Sequence, residues 1–402
     1  LEDQASVENV MKKIGVHPEG ITRMVHKAIH FVIYLENIGY KAAHILKQEI
    51  LALGGDAAVS TGISGFTATE TDVLLMGTKK QILRLISKLK LQPFGSKKVA
   101  IELEFILKNN ETSARHFFCG NREFIIEREP LIMGVLNITP DSFSDGNLYM
   151  NPADAVDRAL EMIEEGADII DIGAESTRPG AYIINEQEEL NRILPVLKDL
   201  IKRTSVPISV DTYKEEVART ALENGASLIN DISGLRTCPG IASLAAKWKA
   251  SLVIMHMQGT PQNMQDNPSY KDVNREILDF LRERVLFAES EGVEPDHIAI
   301  DPGIGFGKTV NHNLEILKNL NQYRSLGKPL LLGPSRKSFI GKILHREVHE
   351  RLAGTAAVVA SSVLTGADIL RVHDIRFMKD VIQMTGSIKN YNNHHELTNL
   401  NL

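Results

Sequence analysis

Two cysteines, Cys119 and Cys238, are too few for a disulfide framework, and their spacing fits no metal motif. No uninterrupted apolar run is long enough to span a bilayer, and no signal-peptide pattern opens the chain, so a cytoplasmic protein is expected. The first residue is Leu1 rather than Met, which leaves the true start of the protein open. Positive charge is not in excess either. A net charge of -6 argues against nucleic acid or an anionic membrane surface as the main partner. What is present is ordinary for a globular enzyme: 43% hydrophobic and 24% charged residues in 402. That length exceeds a typical single domain, and two are expected.

Residues 1–112 read as a small α/β or α+β domain whose function the sequence does not disclose. Helix and strand compete over Ile21 to Asn37. Lys41 to Leu53 reads as a helix ended by Gly54-Gly55, and Val73 to Met76 as a buried strand. Lys79 to Leu91 has Ile82, Leu85, Ile86 and Leu89 at helical spacing, with a basic opposite face read as solvated. The polar stretch Asn109 to His116 reads as the linker.

A second domain is expected over residues 117–388, before a polar tail at 389–402. Phe117 to Arg128 suggests a hairpin turning at Cys119-Gly-Asn-Arg122 and closing a barrel's bottom. Eight short apolar runs then follow, each ending in polar groups: at Asn137, Gly173 to Gly180, Asp211, Asn230-Asp231, His256, Asp301, Gly333 to Ser338, and Arg371 to Asp374. Helical patterns separate them, the first at Pro152 to Glu165. Eight such units predict a (β/α)8 barrel, a TIM barrel, with its reactive groups at the strands' C-terminal ends. Gly303 to Thr309 imitates a nucleotide-binding P-loop, but that motif needs glycine where Pro302 stands.

Asp211, Asn230 and Asp301 would converge on the barrel mouth. Buried carboxylates are costly without strong donors, and an amidine-like N–C–N donor edge, such as a pterin ring carries, would satisfy them. For any one of the three, capping the next helix is an equal reading. Asn137, Arg178, Arg371 and His373 meet the opposite need, an anion, and Asn137 offers a neutral oxygen to Mg2+ bridging phosphates. Asp145 would act there from behind the ligating atoms or through a bridging water. Lys337 lies between the two needs. Ser338 would open a helix whose N-terminal amides favour a carboxylate. Met255 and Phe306 are placed to sandwich a flat ring, although residues of this type at strand ends are more often core. Glu175 is read as a loop-shaping hydrogen-bond partner.

The stretch Asn137-Ile-Thr-Pro-Asp-Ser-Phe-Ser-Asp-Gly146, with the strand-end residues above, resembles dihydropteroate synthase. The resemblance covers Phe117 to the last helix. It implies condensation of 6-hydroxymethyl-7,8-dihydropterin pyrophosphate with p-aminobenzoate, giving 7,8-dihydropteroate and pyrophosphate with Mg2+ as cofactor. It also implies a homodimer and a sulfonamide target. By position, the family's pterin residues fall on Asp211, Asn230, Asp301 and Lys337. Its pyrophosphate and Mg2+ groups fall on Asn137, Arg178, Arg371 and His373. Its loop residues fall on Phe143, Asp145 and Pro179, with Ser338 on the p-aminobenzoate carboxylate and Lys337, Asp145 and Arg178 as catalytic groups. Ala174 and Asn147 stand where glycine is common, and Gln258 where arginine is common.

Two rivals remain. A pterin-dependent methyltransferase shares the barrel and carboxylates but has no pyrophosphate to bind, so Asn137, Arg178, Arg371 and His373 argue against it. A non-catalytic pterin-binding protein is countered by the retained Lys337. The loops Thr139 to Gly146 and Glu175 to Ala181, rich in proline, glycine and serine, carry a further expectation: p-aminobenzoate binds well only once pyrophosphate and Mg2+ are present.

Overall fold

The computed structural model describes residues 4–64, 69–111, 114–139, 151–176 and 182–391. Expectations placed on Phe143, Asp145, Arg178, Pro179 and residues 392–402 lie outside them. The chain divides into two compact units, one holding Leu1–Glu111 and the other Thr112–Lys389.

In the larger unit, eight parallel strands form one sheet: β1 (Leu131–Asn137), β2 (Ile169–Gly173), β3 (Ile208–Asp211), β4 (Leu228–Asp231), β5 (Ser251–Met255), β6 (Ile298–Asp301), β7 (Leu331–Leu332) and β8 (Ile369–Val372). Their order is β6-β5-β4-β3-β2-β1-β8-β7. A parallel bridge between Ile300 and Leu330 joins β6 to the start of β7 and brings the sheet round into a barrel. Each strand is followed by a helix. The first, Pro152–Glu165, begins where Asn151 accepts the Ala153 N–H and Pro152 pre-sets the opening turn, and it ends at Gly166 with φ +107°.

Period two along each strand sorts the side chains into inside and outside. The outward set, including Ile170, Ile172, Val210, Ile229 and Ile254, packs beneath the helices in one continuous core. The inward set starts with Met133, Ile169, Leu228, Val253, Ala299, Leu331 and Ile369. These meet Phe117, Cys119, Phe124 and Ile126 from the antiparallel hairpin Arg115–Cys119 and Arg122–Ile126, which plugs the N-terminal end of the barrel. The hairpin expected from Cys119-Gly-Asn-Arg122 is therefore the barrel's floor.

The strands run further than their apolar residues. Asp211, Asn230, Asp231 and Asp301 all lie within the ladder rather than in the loops that follow. Backbone pairing thus fixes their positions.

In the smaller unit, helices Gln4–Ile14 and Pro18–Ala28 precede a three-stranded antiparallel sheet with Glu70–Thr78 between His30–Gly39 and Asp56–Val59. The ambiguous stretch from Ile21 to Asn37 is thus a helix and then a strand. Val73 and Leu75 are buried while Leu74 is exposed, so Val73 to Met76 buries one face only. Helices Tyr40–Ala52, Lys79–Leu89 and Ser96–Glu111 supply the rest of that core, including Leu46, Ile82, Leu85 and Leu103. The linker expected from Asn109 is shorter than its composition suggested. Buried Ala100, Leu103 and Leu107 carry the last helix through two asparagines to Glu111, where tertiary packing overrides weak local propensity.

Candidate active site

Two residues beyond several of these floor residues, on the same inward face, stand the residues of the candidate site. Ile169 is followed by Asp171, Leu228 by Asn230, Val253 by Met255, Ala299 by Asp301 and Ile369 by Arg371. Neighbouring strands hold these groups level: Gly173 pairs with Asp211, Asp211 with Asn230, and Met255 with Asp301.

Arg371 is the hub. Its Nε donates to Asp171 Oδ2 at 2.6 Å, and a terminal guanidinium nitrogen donates to Asp211 Oδ2 at 2.8 Å. Asn230 Nδ2 donates to the same Asp171 oxygen at 3.1 Å. Burial pushes the Asp211 carboxyl up to about 7, with Arg371 opposing and Asp171 reinforcing the shift. Burial likewise raises Asp301 to about 6, against the Gly303 N–H on its Oδ1 at 2.7 Å and the charge of Lys337. Lys337 is drawn down to about 8 by burial and by Arg371, while Asp301 and Asp211 hold it up. Burial would also lower Arg371, but Asp171 and Asp211 outweigh it and raise it.

Of the expected residues, Asp211, Asn230, Asp301, Lys337 and Arg371 are therefore brought together. Arg371, expected to face an anion, lies between two carboxylates. Its neighbour Asp374 is taken instead by Arg336 through two hydrogen bonds, at 3.2 and 2.7 Å. The helix-capping alternative fails for Asp211 and Asn230. The next helix after β3 has Lys214 at its N-cap, the one after β4 has Pro239, and neither shows a side-chain cap. It is Asp231, fully buried, that serves a local turn, accepting the Ser233 and Leu235 N–H groups at 2.7 and 2.8 Å.

Asn137 and His373 are also joined, Nδ2 to Nε2 at 3.3 Å, across the β1–β8 neighbours, and Ser335 Oγ meets His373 Nδ1 at 2.9 Å. Among the described residues no group of three or more His, Cys, Asp or Glu side chains could hold a metal ion. A Cβ built on Gly173 would lie 3.6 Å from Asn137 Oδ1, so that oxygen faces β2 while the amide nitrogen faces His373. One neutral oxygen suits a cation that takes its other ligands from water and phosphate, the habit of Mg2+.

Met255 and Phe306 fall in one apolar cluster with Ile232, Met257 and Met264. The Lys337 ammonium stands 3.9 Å from the centroid of the Phe306 ring. Ser338 is exposed and opens a helix of seven residues. Glu175 does shape its loop: it accepts from Tyr213 at 2.5 Å, Lys214 at 2.6 Å and the Ile184 N–H at 3.2 Å.

The glycine-rich stretch after β6 has a steric purpose. Gly303, at φ +67°, would place a Cβ 1.9 Å from the His256 carbonyl oxygen, and Gly305, at φ +81°, would place one 2.9 Å from Lys337 Cδ. Lys308 turns inward rather than toward a nucleotide. It is buried, donates to the Phe306 carbonyl at 2.9 Å and meets His256 Nδ1 at 3.1 Å, and burial brings its pKa down to about 7.

Asp171 was missed by sequence reasoning, which looked only at the residues closing each apolar run. The signal that finds it is period two: Asp171 is the one acid inside the run Ile169-Ile-Asp-Ile-Gly173, in phase with the floor residue Ile169.

The chain is similar to known proteins in both sequence and fold. Residues 133–373 match the pterin binding enzyme family. The chain is 45% identical over 270 residues to dihydropteroate synthase of Synechocystis, covering 67% of this chain and 93% of that one. It is 40% identical over 367 residues to a probable bifunctional folylpolyglutamate synthase/dihydropteroate synthase of Halobacterium salinarum, covering 91% of this chain but 44% of that one. The Yersinia pestis dihydropteroate synthase, solved as a sulfonamide drug complex, superposes with a TM-score of 0.66 at 39% identity, over 68% of this chain and 99% of that one.

Proposed function

Given that the chain belongs to the pterin-binding enzymes and within them to the dihydropteroate synthases, we propose that the strand-end cluster is where its pterin substrate is held. The enzyme is a transferase that condenses 6-hydroxymethyl-7,8-dihydropterin pyrophosphate with p-aminobenzoate to 7,8-dihydropteroate and pyrophosphate. The observation that carries the site reading is the convergence of Asp211, Asn230, Asp301 and Lys337 around the Arg371 hub.

Asp211 and Asp301 accept hydrogen bonds from the ring's N–C–N edge, with Asn230 beside them, while Met255 and Phe306 supply apolar surface. Lys337, pressed against Phe306, donates to the ring and stands where the incoming amine arrives. In the reaction the C–O bond between the ring's methylene and the pyrophosphate breaks, its electron pair leaving with the pyrophosphate oxygen. The lone pair of the aniline nitrogen forms the new C–N bond, and that nitrogen then gives up a proton. Positive charge building on the methylene spreads into the ring, where the ionised Asp211 and Asp301 stabilise it.

Arg178, Arg371 and His373 receive the negative charge of the departing group. Asn137 would hold a Mg2+ ion through its side-chain oxygen, and that ion would supply Lewis-acid neutralisation of the charge; the family resemblance gives Asp145 a supporting role there. The family resemblance assigns the acceptor p-aminobenzoate to Phe143 and Pro179, with its carboxylate at Ser338, the place a sulfonamide would take. We also propose a cytoplasmic homodimer. Among the described residues no helix is long and apolar enough to cross a membrane, which supports the first half of that reading. The direct test is incubation with dihydropterin pyrophosphate, p-aminobenzoate and Mg2+, with pyrophosphate release expected. No release from folded enzyme would refute the site reading.

A further inference from the structure

We infer that Asp171 is a positioning residue that fixes the hydrogen-bonding polarity of the pterin site. This rests on the proposal that Asp211, Asn230 and Asp301 hold the ring. Asn230 is an amide with two chemically opposite ends, and only one of them can accept a hydrogen bond from an N–H edge. Nothing in the amide's own shape chooses between them. Asp171 chooses. It is fully buried, and one of its oxygens, Oδ2, receives both Arg371 Nε at 2.6 Å and the Asn230 amide at 3.1 Å.

The oxygen that receives the Arg371 N–H acts there as an acceptor. The atom of Asn230 turned to it must therefore be the nitrogen. The carbonyl oxygen is turned away from Asp171, and no donor among the described residues meets it. With Asp211 engaged by Arg371 through Oδ2 and Asp301 by the Gly303 N–H through Oδ1, the three side chains, once both carboxyls are ionised, present acceptors to a ligand and no donors. That matches a ring edge made of N–H groups. With the amide reversed, an N–H would oppose an N–H, and a buried mismatch of that kind is expensive.

Asp171 thus acts twice without touching the ring. It orients the amide, and it shares the charge of Arg371 with Asp211. A purely structural anion would do only the second.

The test exchanges the two groups. Asp171→Asn keeps the shape but replaces a charged acceptor by a neutral amide, whose nitrogen end opposes Arg371 and whose oxygen end holds the Asn230 amide more weakly. In the exchanged pair, Asp171→Asn with Asn230→Asp, the amide sits on β2 and the carboxylate on β4, and an acceptor again faces the ligand. Binding of 6-hydroxymethyl-7,8-dihydropterin to the full chain is measured by calorimetry. Asp171→Asn is expected to weaken it roughly 10- to 100-fold, and the exchanged pair to recover more than half of that loss on a logarithmic scale. A loss below about threefold, or no recovery in the exchanged pair, overturns the inference.

If the single variant does not fold, the exchanged pair decides alone. Affinity within about tenfold of wild type supports the polarity rule, and a larger loss overturns it. Asp301→Ala is run beside them. If it binds the ring normally, the site itself is misassigned and the inference falls with it. If it loses the ring while Asp171→Asn keeps it, only the polarity rule fails.

Discussion

Asp301→Ala gives the sharpest separation of binding from folding. The carboxylate is buried at 6% exposure and held in place by the Gly303 N–H on Oδ1 at 2.7 Å, with Lys337 nearby in the field. A charge-assisted contact to the pterin edge, once removed, leaves the ring's donors facing a void that nothing else fills. The cost is about 2–5 kcal/mol, roughly 30- to several-thousand-fold in affinity. Folding responds in the other direction. Burial raises the native pKa to about 6, from an ordinary 3.8, so between those values the native state holds more protons than the unfolded chain. Asp301 therefore makes stability fall as pH rises through that window, while pterin affinity, which needs the ionised form, climbs as pH rises through about 6. The contributions that change near pH 6 should vanish together in the variant, leaving those of Asp211, which change near pH 7. Calorimetry at pH 7.5 and melting curves at acid and neutral pH read the two effects. Pterin affinity within about threefold of wild type would refute the reasoning.

Phe117→Ala, on the fully buried floor of the barrel, should destabilise the protein by about 3–5 kcal/mol in urea while leaving pterin affinity unchanged, because the floor and the site lie at opposite ends of the strands. A selective loss of pterin binding would mean that the two ends are coupled. Gly303→Ala forces a Cβ to within 1.9 Å of the His256 carbonyl at a positive φ, so it should displace the loop after β6 and cost both melting temperature and pterin affinity. An unchanged melting curve would show that the backbone yields easily. Titration of p-aminobenzoate in Mg2+ should show much tighter binding with pyrophosphate than without. Equal affinity in both would end the ordered-binding expectation drawn from the loop sequences.

Much of the barrel could be read in advance because its rules are local. An apolar run of four to seven residues, a polar terminus and a helical pattern recur with little dependence on distant partners, so strands and helices were anticipated to within a few residues. The misjudged places are those where distant packing outvotes local composition. Asn109 and Asn110 stay helical because Leu103 and Leu107 are anchored elsewhere. The P-loop likeness around Lys308 is already excluded by Pro302, and what only the fold adds is that Lys308 is buried against His256 and Phe306.

The sequence by itself determined which residues face the barrel interior, since period two along a strand follows from backbone geometry. It also determined that acids, an amide and cations collect at one end of the barrel. It did not determine their pairing. Arg371 finds Asp211 across 160 residues and Asp171 across 200, and Asn230 finds Asp171 across 59. Which charge meets which is set when β8 closes beside β1 and the interior faces are brought level. The tertiary structure alone decided that Arg371 is shared by two carboxylates, and that the Asn230 amide has only one way to point.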